Sequence, residues 1–154
     1  MMATVMRGDK NFDHGVLIEV ETFINHALLR AQANEDNYLL ADRSYDAKYI
    51  RMRKMQFDIL NRMFELASKI NMDLVQADLI AELTEEFARS LSESNSGEAL
   101  LQRLMSVSAA CKDGPLPKGR SEFENRAILF QYLSEFRHVV ELKREFSSEY
   151  GEKY

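Results

Sequence analysis

The sequence predicts an all-α fold, an antiparallel bundle of about five helices that ends in a long C-terminal helix. Apolar residues recur every three or four positions over long stretches, which is the spacing of one helix face. The 154 residues include only six glycines and two prolines, too few for a β architecture with many turns. Clusters of polar residues, glycine and proline separate the periodic stretches, and no stretch is a convincing strand.

The C-terminal helix, expected from Ser121 to about Ser148, organises the rest of the chain. Ser121 and Glu124 have the spacing of a capping box, which predicts the first turn. Apolar residues cover more than one face of this helix, so we expect it to pack against several partners. They are Phe123, Ala127, Leu129, Phe130, Tyr132, Leu133, Phe136, Val139, Val140, Leu142 and Phe146.

The second helix is expected from Tyr45 to about Ile70, with Ser44 as its N-cap. One line of residues alternates by four and three positions, the pattern of a packing seam between helices. Its members are Tyr45, Tyr49, Met52, Gln56, Ile59, Met63, Leu66 and Ile70. Gln56 is the one polar member, and a polar residue in a seam costs stability but fixes register. We expect the seam to lie against the C-terminal helix.

Three further helices complete the prediction. The first runs from about residue 13 to 33, with an apolar stripe of Val16, Val20, Phe23, Ala27 and Ala31. The third runs from about 74 to 91, where Asp73 and Gln76 resemble a capping pair. The fourth starts at 95–98 and runs to about 108. Residues 1–11 are expected to be disordered, and residues 12–150 to form a single α-helical domain.

Composition and charge narrow the function classes. The net charge of −5 argues against a surface that coats nucleic acid. The single cysteine, Cys111, excludes an internal disulfide, and its alanine neighbours favour a small buried position over a reactive thiol. No apolar run reaches the roughly 18 to 20 residues of a membrane-spanning helix. The N-terminus lacks the apolar core and cleavage site of a signal peptide.

Motifs for catalysis, cofactors and metals are absent. The sequence has no HExxH, no paired CxxC, no glycine-rich phosphate loop and no GxSxG, so no enzyme and no cofactor is predicted. Glu135 and His138 have the spacing that diiron bundles use, but those sites need two such pairs and further carboxylates. We therefore expect an ordinary surface pair and no bound metal.

Two polar clusters on the second and fifth helices are candidate sites. Arg51 opens a short basic run, which could contact an anionic lipid or an acidic ligand, although a solvated face is favoured. Glu122 and Arg126 have the spacing and order of a favourable pair along one helix. Arg126 could instead reach the second helix or an anion. Because buried polar groups need partners, we expect a network between the two helices, with Gln56 and Arg126 as members.

The segment GPLPKGRSEFENRAILFQYLSEF resembles the C-terminal domain of the putative aromatic acid exporter family. Leu116-Pro117, Arg120 and the run from Glu122 to Ala127 match the pattern of that family closely. The run from Tyr49 to Arg53, followed by Gln56, resembles a second family motif in an early helix. The similarity spans most of residues 14–147.

The resemblance implies an α-helical domain that follows a block of membrane helices and faces the cytoplasm. It predicts a cytoplasmic regulatory or assembly domain of a bacterial membrane exporter, either excised or free-standing, with the membrane-embedded domain as partner or with self-association. The alternative is a soluble module that senses an aromatic acid or another small anion, with Arg126 or Arg51 holding the carboxylate. Under the first interpretation the candidate residues are structural, and under the second they bind the ligand. They are Arg51, Gln56, Glu122, Asn125 and Arg126.

Overall fold

The structure is a computed structural model that describes residues 2–6, 14–37, 44–71, 75–90 and 97–150. These residues form six α-helices and no strand, which confirms the all-α prediction and the long C-terminal helix. The helices are α1 (Met2–Met6), α2 (His14–Asn37), α3 (Ser44–Lys69), α4 (Val75–Ser90), α5 (Glu98–Lys112) and α6 (Arg120–Tyr150). The five expected helices are α2 to α6. Asp73, of the expected capping pair, lies outside the described residues.

The N-terminal segment differs from the disordered one that the sequence suggests. Residues 2–6 form α1, which packs on α4 and α3. Ala3 and Val5 are buried in the core, 4% and 6% exposed. Five residues are too short a stretch to show helical periodicity, so this helix could not be recognised from the spacing of its apolar residues. Residues 7–11 lie outside the described part of the chain.

Helices α3 and α6 form the most extensive helix pair and run antiparallel. Gln56 contacts Val139 near the middle of the pair, and Asn71, just after α3, contacts Asn125 at the start of α6. The seam of α3 therefore lies against the C-terminal helix, as predicted. Its buried members are Met52, Gln56, Ile59, Met63, Leu66 and Ile70.

Helix α6 buries one broad face. The buried residues are Asn125, Leu129, Tyr132, Leu133, Phe136, Val139, Val140, Lys143 and Phe146. Phe123 and Phe130 are 62% and 38% exposed, and Ala127 is exposed as well, so the expectation that this stripe joins the core is wrong. At 3.6 residues per turn the three residues fall on the opposite side of the helix. Spacing alone does not distinguish an outward apolar stripe from an inward one.

Helix α2 lies on the outside of the bundle. None of its described side chains is buried, and its main contact is with α3, where Glu21 pairs with Lys54 at 3.3 Å. Val16, Val20 and Phe23 are 46%, 40% and 75% exposed. The stripe predicted for this helix is thus not part of the core, because the other helices close the core without it.

The first turn of α6 is built differently from the predicted capping box. The helix begins at Arg120, and the carbonyl of Gly119 accepts the backbone N–H of Phe123 at 3.0 Å. The carboxylate that reaches back to a backbone N–H belongs to Glu122, which accepts from Lys118 at 2.8 Å. The assignment of this role to Glu124 is wrong, because the helix starts one residue earlier than expected.

Candidate functional site

Gln56 lies in the middle of the α3–α6 contact and is 4% exposed. Its Nε2 donates to the backbone carbonyl of Val139 at 3.0 Å, and its Oε1 accepts from Nη1 of Arg53 at 3.1 Å. The amide thus has a partner at each end. Arg51, two positions before Arg53, is exposed on another face of α3.

Asn125 joins the start of α6 to the end of α3. Its Oδ1 accepts the backbone N–H of Asn71, and its Nδ2 donates to the side chain of Asn71 and to the carbonyl of Ser121. Because Asn125 is 3% exposed, water cannot replace these bonds without opening the contact. The arrangement makes Asn125 a structural residue.

Glu122 and Arg126 hold the loop between α5 and α6 against α6. The Arg126 guanidinium donates from Nη2 to Glu122 and from Nη1 to the carbonyl of Pro115. The side chain of Arg126 is 14% exposed, and that of Glu122 is 18% exposed. The expected pair along one helix is therefore present, and the other Glu122 oxygen accepts the backbone N–H of Lys118. Both side chains have partners inside the chain, although the buried Nε of Arg126 donates to none of the described residues.

Electrostatics around this loop follow from those contacts. The backbone N–H of Lys118, and after it the Arg126 guanidinium, lower the pKa of Glu122 below its usual value, although partial desolvation opposes them. Burial raises the pKa of the Cys111 thiol, and the charge of Arg126 opposes that change. Glu122 is thus held as a carboxylate, and Cys111 as a neutral thiol.

The predicted network between Gln56 and Arg126 does not form. Gln56 contacts α6 at Val139, thirteen positions after Arg126, which is about 20 Å along the helix at 1.5 Å per residue. The two helices are neighbours as expected, and the pair that connects their ends is Asn71 with Asn125. The prediction fails because Arg126 finds its partners locally, at Glu122 and Pro115.

The space beside Arg126 is too small for an aromatic acid. A cavity lined by Arg126, Cys111, Gln76 and Phe130 encloses about 10 Å³, the room that one water molecule needs. A benzoate ring would require the side chains that line this cavity to move apart. This geometry does not support Arg126 as the residue that holds a carboxylate.

A larger groove lies between α2 and α3, and sequence reasoning missed it. It has a volume of about 350 Å³ and is lined by aromatic side chains, among them Phe23, Phe57 and Phe87. Tyr49, Arg53 and Gln56 supply its polar groups. Their spacing of four and three positions places them on one face of α3, which is a signal that the sequence contained.

Glu135 and His138 form no metal site in the described structure. Arg62 donates to both oxygens of Glu135, at 2.9 Å and 3.2 Å. Within the described ranges, no three His, Cys, Asp or Glu side chains lie close enough together to hold a metal ion.

A family model gives the context of this architecture. The model described as "Putative aromatic acid exporter C-terminal domain" matches residues 1–144. The chain belongs to this family. The resemblance of the segment around Glu122 to Ala127 is thereby confirmed. Of the helices that the structure describes, none has a stretch long and apolar enough to cross a membrane.

Two known proteins are similar to the chain. One is the "Uncharacterized protein YqjA" of Bacillus subtilis (strain 168), which is 27% identical over 142 residues, covering 92% of this chain and 44% of that protein. The chain therefore spans less than half the length of this curated relative. The other is the crystal structure of a "putative membrane protein from Clostridium difficile 630", with a TM-score of 0.83 and 26% identity. The match covers 96% of this chain and 88% of that one.

Proposed function

We propose that this chain is an assembly domain on the cytoplasmic face of a membrane protein of the exporter type, and that α2 is its contact with the rest of that protein. One observation carries the proposal. Helix α2 has 24 residues, yet none of its described side chains is buried. Its contribution to the core is limited to partly buried side chains such as Leu17, so we expect a helix of this length to have another partner.

The apolar residues of α2 lie on both flanks of its contact with α3. Val16, Val20 and Phe23 lie on one flank, where Phe23 is 75% exposed. Ile18 and Leu29 lie on the other, 64% and 63% exposed. A helix with apolar residues on both flanks of its contact with its own domain has more apolar surface than that one contact covers. Exposed apolar surface of this kind marks an interaction site.

The relatives indicate which partner fits. The family is a C-terminal domain by description, so the remainder of a full-length member precedes it. More than half of the Bacillus subtilis relative lies outside the region matched by this chain, which covers 44% of it. Helices α1 and α2 are the first elements of this domain. A contact between α2 and the preceding membrane-embedded part needs no long connection.

Site-specific photocrosslinking in the full-length protein tests the contact. A photoreactive phenylalanine analogue at Phe23 or Ile18 should crosslink to the membrane-embedded part. The matched control is Val75 on α4, which is equally exposed at 75% but lies on another helix. Crosslinking at Phe23 and Ile18 no stronger than at Val75 would contradict the proposal. Products with the mass of two copies would show self-association at this face instead.

The cytoplasmic placement needs its own test. A fluorescent protein that folds only in the cytoplasm, fused after the domain in the full-length protein, should fluoresce in the membrane fraction. Alkaline phosphatase, which is active only after export, serves as the opposite reporter at the same position. Phosphatase activity without fluorescence would place the domain on the other side of the membrane.

A further inference from the structure

The groove between α2 and α3 has the properties of a small-molecule site. Its volume of about 350 Å³ lies in the range of ligand pockets, and its walls are mostly apolar. Phe23 of α2 forms part of one wall, while Phe57 and Phe87 are buried behind the opening. A few polar groups converge on such a pocket when it orients a ligand, and here they come from one face of α3.

Arg53 is the charged group in this groove. Its Nε and Nη2 donate to the hydroxyl of Tyr49 at 2.9 Å and 2.6 Å, and its Nη1 donates to Gln56 at 3.1 Å. The groups that accept these three hydrogen bonds, the Tyr49 hydroxyl and the Gln56 amide, are neutral. A guanidinium has five N–H groups, so two remain, one on each terminal nitrogen. Within the described residues, no carboxylate lies within 4.0 Å of Arg53 to balance its charge.

The neighbouring cation, Lys54, shows the contrast. Its Nζ pairs with Asp58 at 2.9 Å and with Glu21 at 3.3 Å, which together balance its charge. Arg53 is held in place by Tyr49 and Gln56, and no carboxylate of the described residues pairs with it. A half-buried, oriented and unbalanced guanidinium is the arrangement that binds a carboxylate well.

Tyr49 adds a second donor at the same point. Its hydroxyl oxygen accepts from Arg53, and its own O–H proton has no acceptor among the described residues. Nζ of Lys143 lies 5.8 Å from the centre of the Tyr49 ring. The polar end of the groove is therefore suited to an anion.

We propose that this groove binds a small amphipathic carboxylate, with its apolar body between the phenylalanines and its carboxylate on Arg53 and Tyr49. The apolar body is an aromatic ring or a short acyl chain, since a carboxylate that carries either one has both an apolar part and a charged end. The site is separate from Arg126, and it does not depend on the proposed contact of α2 with a membrane-embedded part, since the chain alone contains every residue involved.

Chemical-shift titration of the isotope-labelled chain tests the site. The probes are 4-hydroxybenzoate and octanoate, with benzyl alcohol as a neutral ring and acetate as an anion without an apolar body. At least one of the two amphipathic carboxylates should give saturable shifts at groove residues, and should bind about tenfold more tightly than both controls. Whichever of the two carboxylates binds more tightly shows whether the groove prefers an aromatic ring or an acyl chain. No saturation by either compound up to about 10 mM would overturn the proposal.

Two variants assign the binding to named groups. Arg53→Gln should weaken binding of the carboxylate about tenfold or more, because the charged donor is lost. Lys54→Gln, which removes the adjacent but balanced cation, should change affinity by less than about twofold. Phe23→Ala should weaken binding without any effect on folding, since that side chain is three-quarters exposed. Equal affinity of wild type and Arg53→Gln, with both folded by their amide spectra, would show that Arg53 is not the anchor.

Discussion

Asn71 and Asn125 bind each other through their amides at the point where α3 ends and α6 begins. The backbone N–H of Asn71 donates to Oδ1 of Asn125 at 2.9 Å, and Nδ2 of Asn125 donates to Oδ1 of Asn71 at 2.8 Å. A further bond joins Nδ2 of Asn125 to the carbonyl of Ser121 at 2.9 Å. The contact fixes the register of the two longest helices at this end of the bundle.

Replacing Asn125 with alanine should destabilise the domain by roughly 2–4 kcal/mol, because more than one buried group loses its partner at about 1–3 kcal/mol each. Urea unfolding measures this free energy. Gln131→Ala is the matched control, since Gln131 is an exposed amide on the same helix. A loss below about 1 kcal/mol at Asn125 would contradict a register role.

The orientation of α6 is tested by two residues one turn apart. Leu133 is 3% exposed and Phe130 is 38% exposed. Leu133→Ala should cost about 2–5 kcal/mol, as buried leucines do. Phe130→Ala should cost clearly less than Leu133→Ala, since 38% of the Phe130 surface stays exposed to water. If denaturant unfolding gives the opposite order, the core-facing side of α6 has been assigned wrongly.

The pKa of Glu122 makes a prediction about acid stability. Its folded pKa lies below the unfolded value, which is about 4.5, so between the two values the unfolded chain binds more protons. The stability that this carboxylate contributes is complete above the unfolded pKa and is lost as the pH falls through the folded pKa. Glu122→Gln should flatten the dependence of the melting temperature on pH in this acidic window. An unchanged slope would show that other carboxylates account for acid unfolding.

Cys111 should be a slow thiol in the folded protein. It is 7% exposed, and burial raises its pKa, which reduces both access and the thiolate fraction. With a disulfide reagent at neutral pH we expect reaction more than about tenfold slower than that of glutathione. The control is Ala110→Cys with Cys111→Ala, which moves the thiol to an exposed neighbouring position on α5. Equal rates at the two positions would mean that α5 opens readily.

The periodic pattern was enough to predict the buried face of α3, but not the buried face of α6 or of α2. In α3 the line from Met52 to Ile70 is the buried seam, because this helix has neighbours along that whole face. In α6 the residues Phe123 and Phe130 have the same kind of spacing and point outward. Periodicity tells which residues share a face, while burial depends on which face another helix covers. Which face is covered is decided by the tertiary packing and cannot be read from the spacing.

The contacts of the candidate residues were predicted in part, for a related reason. Gln56 was expected to meet α6, and it does, although its partner is the backbone carbonyl of Val139. Arg126 was expected to reach across helices, but Glu122 and the loop carbonyl of Pro115 satisfy it first. Arg53 was not singled out, because in the sequence it is one cation among several in a basic run. Its distinction is a charge with no carboxylate neighbour among the residues that the structure describes, and this can be seen only in three dimensions.

The pairing of α3 with α6 sets the order in which the domain can fold. Hydrogen bonds between the two helices join positions 54 to 83 apart in the chain, and Lys48 reaches Tyr150 across 102 positions. Contacts between such distant positions are slow to form, because the intervening chain must first lose its freedom. During synthesis α3 emerges well before α6, with its apolar seam uncovered. Cooperative folding therefore waits for the last helix, and until then the nascent domain is at its most prone to aggregation.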